Sequence, residues 1–243
     1  MPLIRAHDLR NFLDRSPAMR TGCLVDTNIL FAANYSLDRF HGAATDIFET
    51  LINEQVPRFA NVNIRSEFIN LSRRIVIAQA LLDLFHAIGT DLPTDVYNKL
   101  KSIKTRTATK ENEESLFRLQ EQEIEEIRVL FTQYRPTDDQ DLWDWFCEDY
   151  LKGKISGEWE WVEEDFGINF LSLRHGENSR HLENELKWEN VVGIIEKTGI
   201  GSADAMIVNL LLQSKYGFIV SADADIVFAM EKILPGNKFV VTP

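Results

Sequence analysis

The chain has 243 residues, 44% of them hydrophobic and 26% charged, with a formal net charge of −12. That length predicts one large domain or two small ones, with enough core to fold without disulfides or a structural metal. The charge excludes a polycationic nucleic-acid binder, because phosphate contacts need clustered Lys and Arg, but not a nuclease whose own site is acidic.

Cys23-Leu24-Val25 reads as a short buried strand giving way to a turn at Asp26-Thr27-Asn28. Ala44, Ile47, Phe48, Leu51 and Ile52 fall at helical spacing within 43–52. Arg58 to Val62 follows Pro57 as a second short strand, and Asn63 is placed to cap a helix running through Ile64, Phe68, Leu71 and Ile75. From about 80 to 198 the pattern is helical. Ile124, Ile127, Phe131 and Tyr134 make one face, and Leu182, Leu186, Trp188, Val192 and Ile195 another, which Gly199 stops. Residues 136–168 hold eleven Asp or Glu against two Lys, and four of the five tryptophans: Trp143, Trp145, Trp159 and Trp161. Strand and helix alternation then returns. Ser202 is placed to cap an apolar helix from Ala203 to Leu212, Tyr216 to Ala222 reads as a strand, and Phe239 to Thr242 as the last one. Strands alternating with helices predict a parallel sheet.

Four acids stand at comparable places. Asp26 follows the first strand and Asp223 the strand from Tyr216. Glu67 and Asp204 lie near the starts of helices. Open parallel sheets bind ligands beyond the carboxyl ends of their strands. Carboxylates gathered there raise one another's pKa unless a cation intervenes, and all-oxygen donors select Mg²⁺ or Mn²⁺ over zinc. Such a cation acidifies bound water and stabilises charge on a phosphoryl group.

The segments Val25-Asp26-Thr27-Asn28-Ile29-Leu30, Ser66-Glu67-Phe68, Ser202-Ala203-Asp204-Ala205-Met206-Ile207 and Ser221-Ala222-Asp223-Ala224-Asp225 occur in the order of the motifs of PIN-domain nucleases. The chain resembles that family, and within it bacterial VapC-type toxins. The resemblance implies a three-layer α/β/α fold with a central parallel sheet. It also implies metal-dependent hydrolysis of phosphodiester bonds in RNA, with DNA left open. Carried across, Asp26, Glu67, Asp204 and Asp223 are the metal acids, one of them open to a role as base. Asp225 is an accessory ligand, and Thr27, Asn28 and Ser202 are supporting polar groups. A toxin role further implies a protein inhibitor or antitoxin as partner and leaves room for a homodimer. The resemblance covers about 20–78 and 199–243. The 137 positions separating Glu67 from Asp204 exceed what compact members of the family have, so 79–198 reads as an all-helical insertion packed on a core made of 1–78 and 199–243.

Other features weigh less. Cys23 and Cys147 fit a reducing compartment better than a disulfide and are too few for a cysteine zinc site. The N-terminal stretch has no apolar core of a signal peptide, and no run nears the ~18 apolar residues of a membrane helix, so a cytoplasmic protein without a membrane partner is expected. His7, His41, His86, His175 and His181 form no metal-spaced pair and read as surface or core residues. Lys99, Lys101 and Lys104 head a basic stretch that reads first as a solvated helix face and second as a guide for substrate backbone. Arg65, Arg73 and Arg74 flank Glu67 and are candidates for the same task. The acidic tryptophan segment has three readings: packing of the insertion, docking of a partner, or shielding of the site from nucleic acid, with Asp138, Asp139, Asp141 and Asp144 as the shield. Two rivals to the nuclease stand beside it. One is a catalytically silent scaffold that binds a protein through the insertion. The other is an aspartyl-phosphatase, disfavoured because Asn28 stands where that class wants a second Asp.

Overall fold

The computed structural model describes residues 3–136, 139–171, 180–233 and 236–243; His175 and Asp138 lie outside the described residues. The chain divides into two compact units, Met1–Phe68 with Trp161–Pro243, and Ile69–Glu160.

The first unit is α/β. Strand β1 (Leu3–Arg5) precedes helix α1 (Leu9–Arg15), and β2 (Cys23–Val25) runs into α2 (Thr27–Asn34). Helix α3 (His41–Asn53), β3 (Arg58–Ala60) and the long α4 (Val62–Ile88) follow, and the division between units falls inside α4. After the second unit come β4 (Ile168–Phe170), then, beyond two further helices of the first unit, β5 (Phe218–Val220) and β6 (Phe239–Thr242). The six strands form a single sheet in the order β1-β6-β5-β2-β3-β4, every pair parallel. Strands β2 and β5 are buried throughout. This is why their sequences are unbroken apolar runs rather than alternating ones. Gly22 enters β2 at φ 142°, and a Cβ there would stand 2.9 Å from the Phe59 ring and 3.0 Å from Tyr216, so this approach needs glycine.

Two strands depart from the sequence reading. The charged N-terminal stretch supplies the edge strand β1, whose residues are only partly buried. The segment expected to be wholly helical supplies the other edge, β4, paired with β3 from Arg58↔Ile168 to Ala60↔Phe170. At three residues, an edge strand leaves too little periodicity to read.

The second unit is helical. It holds α5 (Thr94–Asn112), α6 (Glu121–Phe131), α7 (Leu142–Phe146), a π turn (Cys147–Leu151) and the first part of α8 (Lys154–Asp165). Ile124, Ile127 and Phe131, the face expected of α6, are buried in its core with Leu81, Leu100 and Phe146, and Trp143 and Trp145 pack against that cluster. Those two tryptophans therefore serve packing. Asp141 accepts a hydrogen bond from the Asp144 amide and caps α7. Among the described residues no helix is long and apolar enough to cross a membrane.

The remaining helices, α9 (Trp188–Thr198), α10 (Ser202–Gln213) and α11 (Ala224–Ile233), belong to the first unit. Gly199 ends α9 in the left-handed conformation at φ 76°, as expected. The expected helical face from Leu182 to Ile195 is corrected. The helix begins only at Trp188 and buries Val191 and Ile194 instead, while Leu182 forms an isolated bridge with Ser214. Leu186, Trp188 and Val192 are exposed.

Candidate functional site

Strand β2 sits centrally, with β5 on one side and β3 on the other. The chain continues from β2 towards β3 and from β5 towards β6, in opposite directions across the sheet. The carboxyl ends of β2 and β5 therefore flank a topological switch point, where parallel sheets place their ligand crevices. Asp26 is the first residue past β2, and its amide donates to the Val220 carbonyl of β5 at 2.9 Å. Asp223 lies three residues past β5.

Asp26 is 3% exposed and caps α2. Its Oδ1 accepts from the Thr27 amide at 2.7 Å, and its Oδ2 accepts from Asn28 Nδ2 at 2.7 Å and from the Ser221 hydroxyl at 2.5 Å. The Asn28 Oδ1 in turn accepts from the Ala222 amide at 2.9 Å, tying the turn after β2 to the turn after β5. Thr27 Oγ1 donates to Glu67 Oε2 at 3.0 Å, which brings the α4 acid to the same place. Ser221 also accepts from the Asp223 amide at 3.0 Å, and the Asp223 Oδ1 accepts from the Asp225 amide at 2.7 Å. The sequence reading gave Ser221 no role. It is fully buried and joins two of the four acids; its one signal was a hydroxyl between a buried strand and an acidic turn.

Electrostatics groups the same residues. Burial pushes the Asp26 carboxyl up to about 7; the bonds from Ser221 and Thr27 oppose this, and the charges of Glu67 and Asp223 add to it. Asp204, in the first turn of α10, is pushed up to about 6 by burial and then by Asp223, Glu67 and Asp225. Two acids thus feel the same two neighbours, and each keeps its proton well above the ordinary carboxylate range. Among the described residues, no three or more His, Cys, Asp or Glu side chains stand together in a group that could hold a metal ion.

Two caps are corrected. Asn61, not Asn63, caps α4, its Oδ1 accepting from the Ile64 amide at 3.0 Å, whereas Asn63 Nδ2 reaches Met206 Sδ at 3.6 Å. Gly201, not Ser202, is the N-cap of α10; Ser202 is its first, exposed residue.

The basic candidates are placed less simply. The Arg65 guanidinium lies over the Phe170 ring at 4.9 Å. The others belong to the second unit and are engaged inside it. Arg73 pairs with Glu121, and Arg74 donates to the Leu119 carbonyl and to Gln120. Lys99 pairs with Glu126 at 2.9 Å, while Lys101 and Lys104 lie over the rings of Tyr97 and Phe85. His181 is bonded on both ring nitrogens, to Tyr216 Oη at 2.7 Å and from Arg180 Nε at 2.9 Å.

Comparison of the chain with protein-family models, curated proteins and solved structures gives no significant match.

Proposed function

We propose that the chain is a metal-dependent ribonuclease of PIN-like, three-layer α/β/α architecture, with the acids at the ends of β2 and β5 as its centre. The observation that carries this reading is the shared field. Asp26, at the switch point of a parallel sheet, and Asp204 are both raised first by burial, and the charges of Glu67 and Asp223 add to that rise in each. A structural acid is normally driven the other way, by a cation or by donors. An all-oxygen set left short of positive charge suits a hard divalent cation.

Asp26, Glu67, Asp204 and Asp223 would hold Mg²⁺ or Mn²⁺, with Asp225 accessory. When bound, the cation supplies an acidified water and charge stabilisation on a phosphoryl oxygen. The chain's own residues prepare the place. Ser221, Asn28 and the Thr27 amide fix the Asp26 carboxylate, and the Thr27 hydroxyl orients Glu67. Burial of Asp26 excludes water from one side of the cluster. Without a cation, Asp26 keeps a proton up to about pH 7 and Asp204 up to about pH 6. The toxin role rests on the order of the motifs alone and would add a protein inhibitor as partner.

The test is incubation of pure protein with mixed RNA and DNA pools, with and without Mn²⁺. Cleavage of RNA that requires Mn²⁺ and is lost in Asp26→Asn and Asp204→Asn, but kept in Asp38→Asn, supports the reading. Cleavage at wild-type rate by a folded Asp26→Asn protein overturns it, and cleavage of DNA alone reassigns the substrate.

A further inference from the structure

A cavity of about 360 Å³ lies in the first unit, outside the acid cluster. Asn61 and Leu171 line it, and they are the first residues past β3 and β4. It therefore opens on the same sheet edge as Asp26, beginning at the strand next to β2, one step of about 4.8 Å along the sheet. Met206 and Asn209 line it from α10, the helix that carries Asp204 near its start. Asn209 lies five positions beyond Asp204 along the helix, a rise of roughly 7.5 Å.

The lining is apolar in most of its extent, with amides set into it. Asn209 is 3% exposed, and its Oδ1 has no hydrogen-bond partner. A buried carbonyl left unmatched is costly, and a ligand donor recovers that cost. Asn63 spends its Nδ2 on the thioether of Met206, a weak acceptor. The His181 ring nitrogens are both taken by Tyr216 and Arg180. Trp188 lines the cavity and is 56% exposed, an aromatic plane at the boundary with solvent. A purely apolar guest would leave the Asn209 carbonyl unmatched. A planar heterocycle with donors and acceptors on its rim matches ring faces and amides together.

We infer that this cavity is a nucleobase-binding subsite, in which Asn209 and Asn63 read the base edge and Trp188 covers its face. The inference rests on the reading of the acid edge as a nuclease centre, to which it adds the part of the substrate held beside that centre. An Asn amide sets a donor beside an acceptor, so it matches the amino group and ring nitrogen of adenine or cytosine and equally the imide N–H and carbonyl of uracil.

The test uses metal-free protein and nucleosides without phosphate, so that the acids play no part. Adenosine, cytidine and uridine are titrated to millimolar concentration while side-chain amide signals are followed by ¹⁵N-edited NMR. Saturable shifts of the Asn209 amide are expected with at least one of the three nucleosides and none with ribose alone. Asn209→Leu should abolish those shifts at the remaining amides while melting at or above wild type, because it removes an unmatched buried carbonyl. Trp188→Ala, at an exposed position, should weaken binding in a folded protein. No saturable shift with any nucleoside, equal shifts with ribose alone, or binding unchanged in Asn209→Leu overturns the inference. Binding of indole without binding of nucleosides also overturns it. Cleavage assays on the same protein separate the two readings. Mn²⁺-dependent cleavage without nucleoside binding removes the base site and keeps the acids; nucleoside binding without cleavage does the reverse.

Discussion

The acids displaced from the ordinary carboxylate range move in opposite directions in the two units. In the helical unit they are matched. Glu123 loses some hydration by burial, but the Gln120 amide and Arg106 more than offset this and hold its carboxyl below the ordinary range. Glu126 is held low by Lys99, and Asp95 by the Tyr134 hydroxyl. In the α/β unit, Asp26 and Asp204 are held high by burial and by other acids. Matched acids make a fold more stable, whereas acids set against one another make it less stable until a ligand supplies positive charge. The comparison teaches where to look for function in a chain of net charge −12: in the acids that the fold keeps unmatched, rather than in the most acidic stretch.

The largest effect that would break this contrast is on activity. Asp26→Asn should lower RNA cleavage by at least about a hundredfold, the scale on which one preorganised electrostatic group acts, measured on protein whose fold is checked by circular dichroism. Asp204→Asn should cleave equally poorly yet melt above wild type at pH 8 without metal, because one member of a repelling set is gone. Rapid cleavage by either folded variant would make these acids structural.

The pH dependence sharpens the contrast by sign. Between about pH 4, the ordinary carboxylate value, and the folded values of about 7 and 6, the native state holds more protons at Asp26 and Asp204 than the unfolded chain. These two groups therefore take stability away as pH rises through that window. Melting in chelator should fall from pH 5 to pH 8, and Mn²⁺ should restore it at pH 8 by binding the native state. Glu123 runs the other way: its carboxyl is depressed, so its contribution is present at neutral pH and is lost as pH falls through the folded value. A metal-free protein whose melting rises steadily from pH 5 to pH 8 would place Asp26 and Asp204 with the matched acids.

Smaller effects follow from single partners. Ser221→Ala removes a donor to Asp26 and an acceptor for the Asp223 amide, and should cost roughly 1–3 kcal/mol in denaturant unfolding. It should also raise the Asp26 carboxyl further. Glu123→Gln keeps an acceptor for the Gln120 amide but gives up the charge facing Arg106. It should cost less than about 1 kcal/mol and leave cleavage unchanged.

The sequence told much about the acid edge and less about what surrounds it. The strands β2, β5 and β6 are legible because buried parallel strands are short apolar runs bounded by turns. The acids at their ends follow from that placement. The edge strands β1 and β4 are not legible, since three half-buried residues carry no period. The Leu182–Ile195 pattern misled because Trp188 and Val192, at helical spacing, are exposed; apolar spacing marks a face without saying whether anything covers it. The caps slipped because Asn61 and Asn63 are chemically equal candidates two residues apart. Ser221 was hidden for a different reason: a hydroxyl becomes informative only when its partners, brought together by the pairing of β2 with β5, are known.

The central claim, that the fold holds its switch-point acids short of positive charge, is tested most directly by the Asp26 carboxyl itself. Its ¹³C chemical shift, followed against pH in metal-free protein and again with Mg²⁺, should give a midpoint of about 7 without the cation, and a midpoint drawn down into or below the ordinary carboxylate range with it. A midpoint of about 4 in metal-free protein, unmoved by Mg²⁺, would contradict the account.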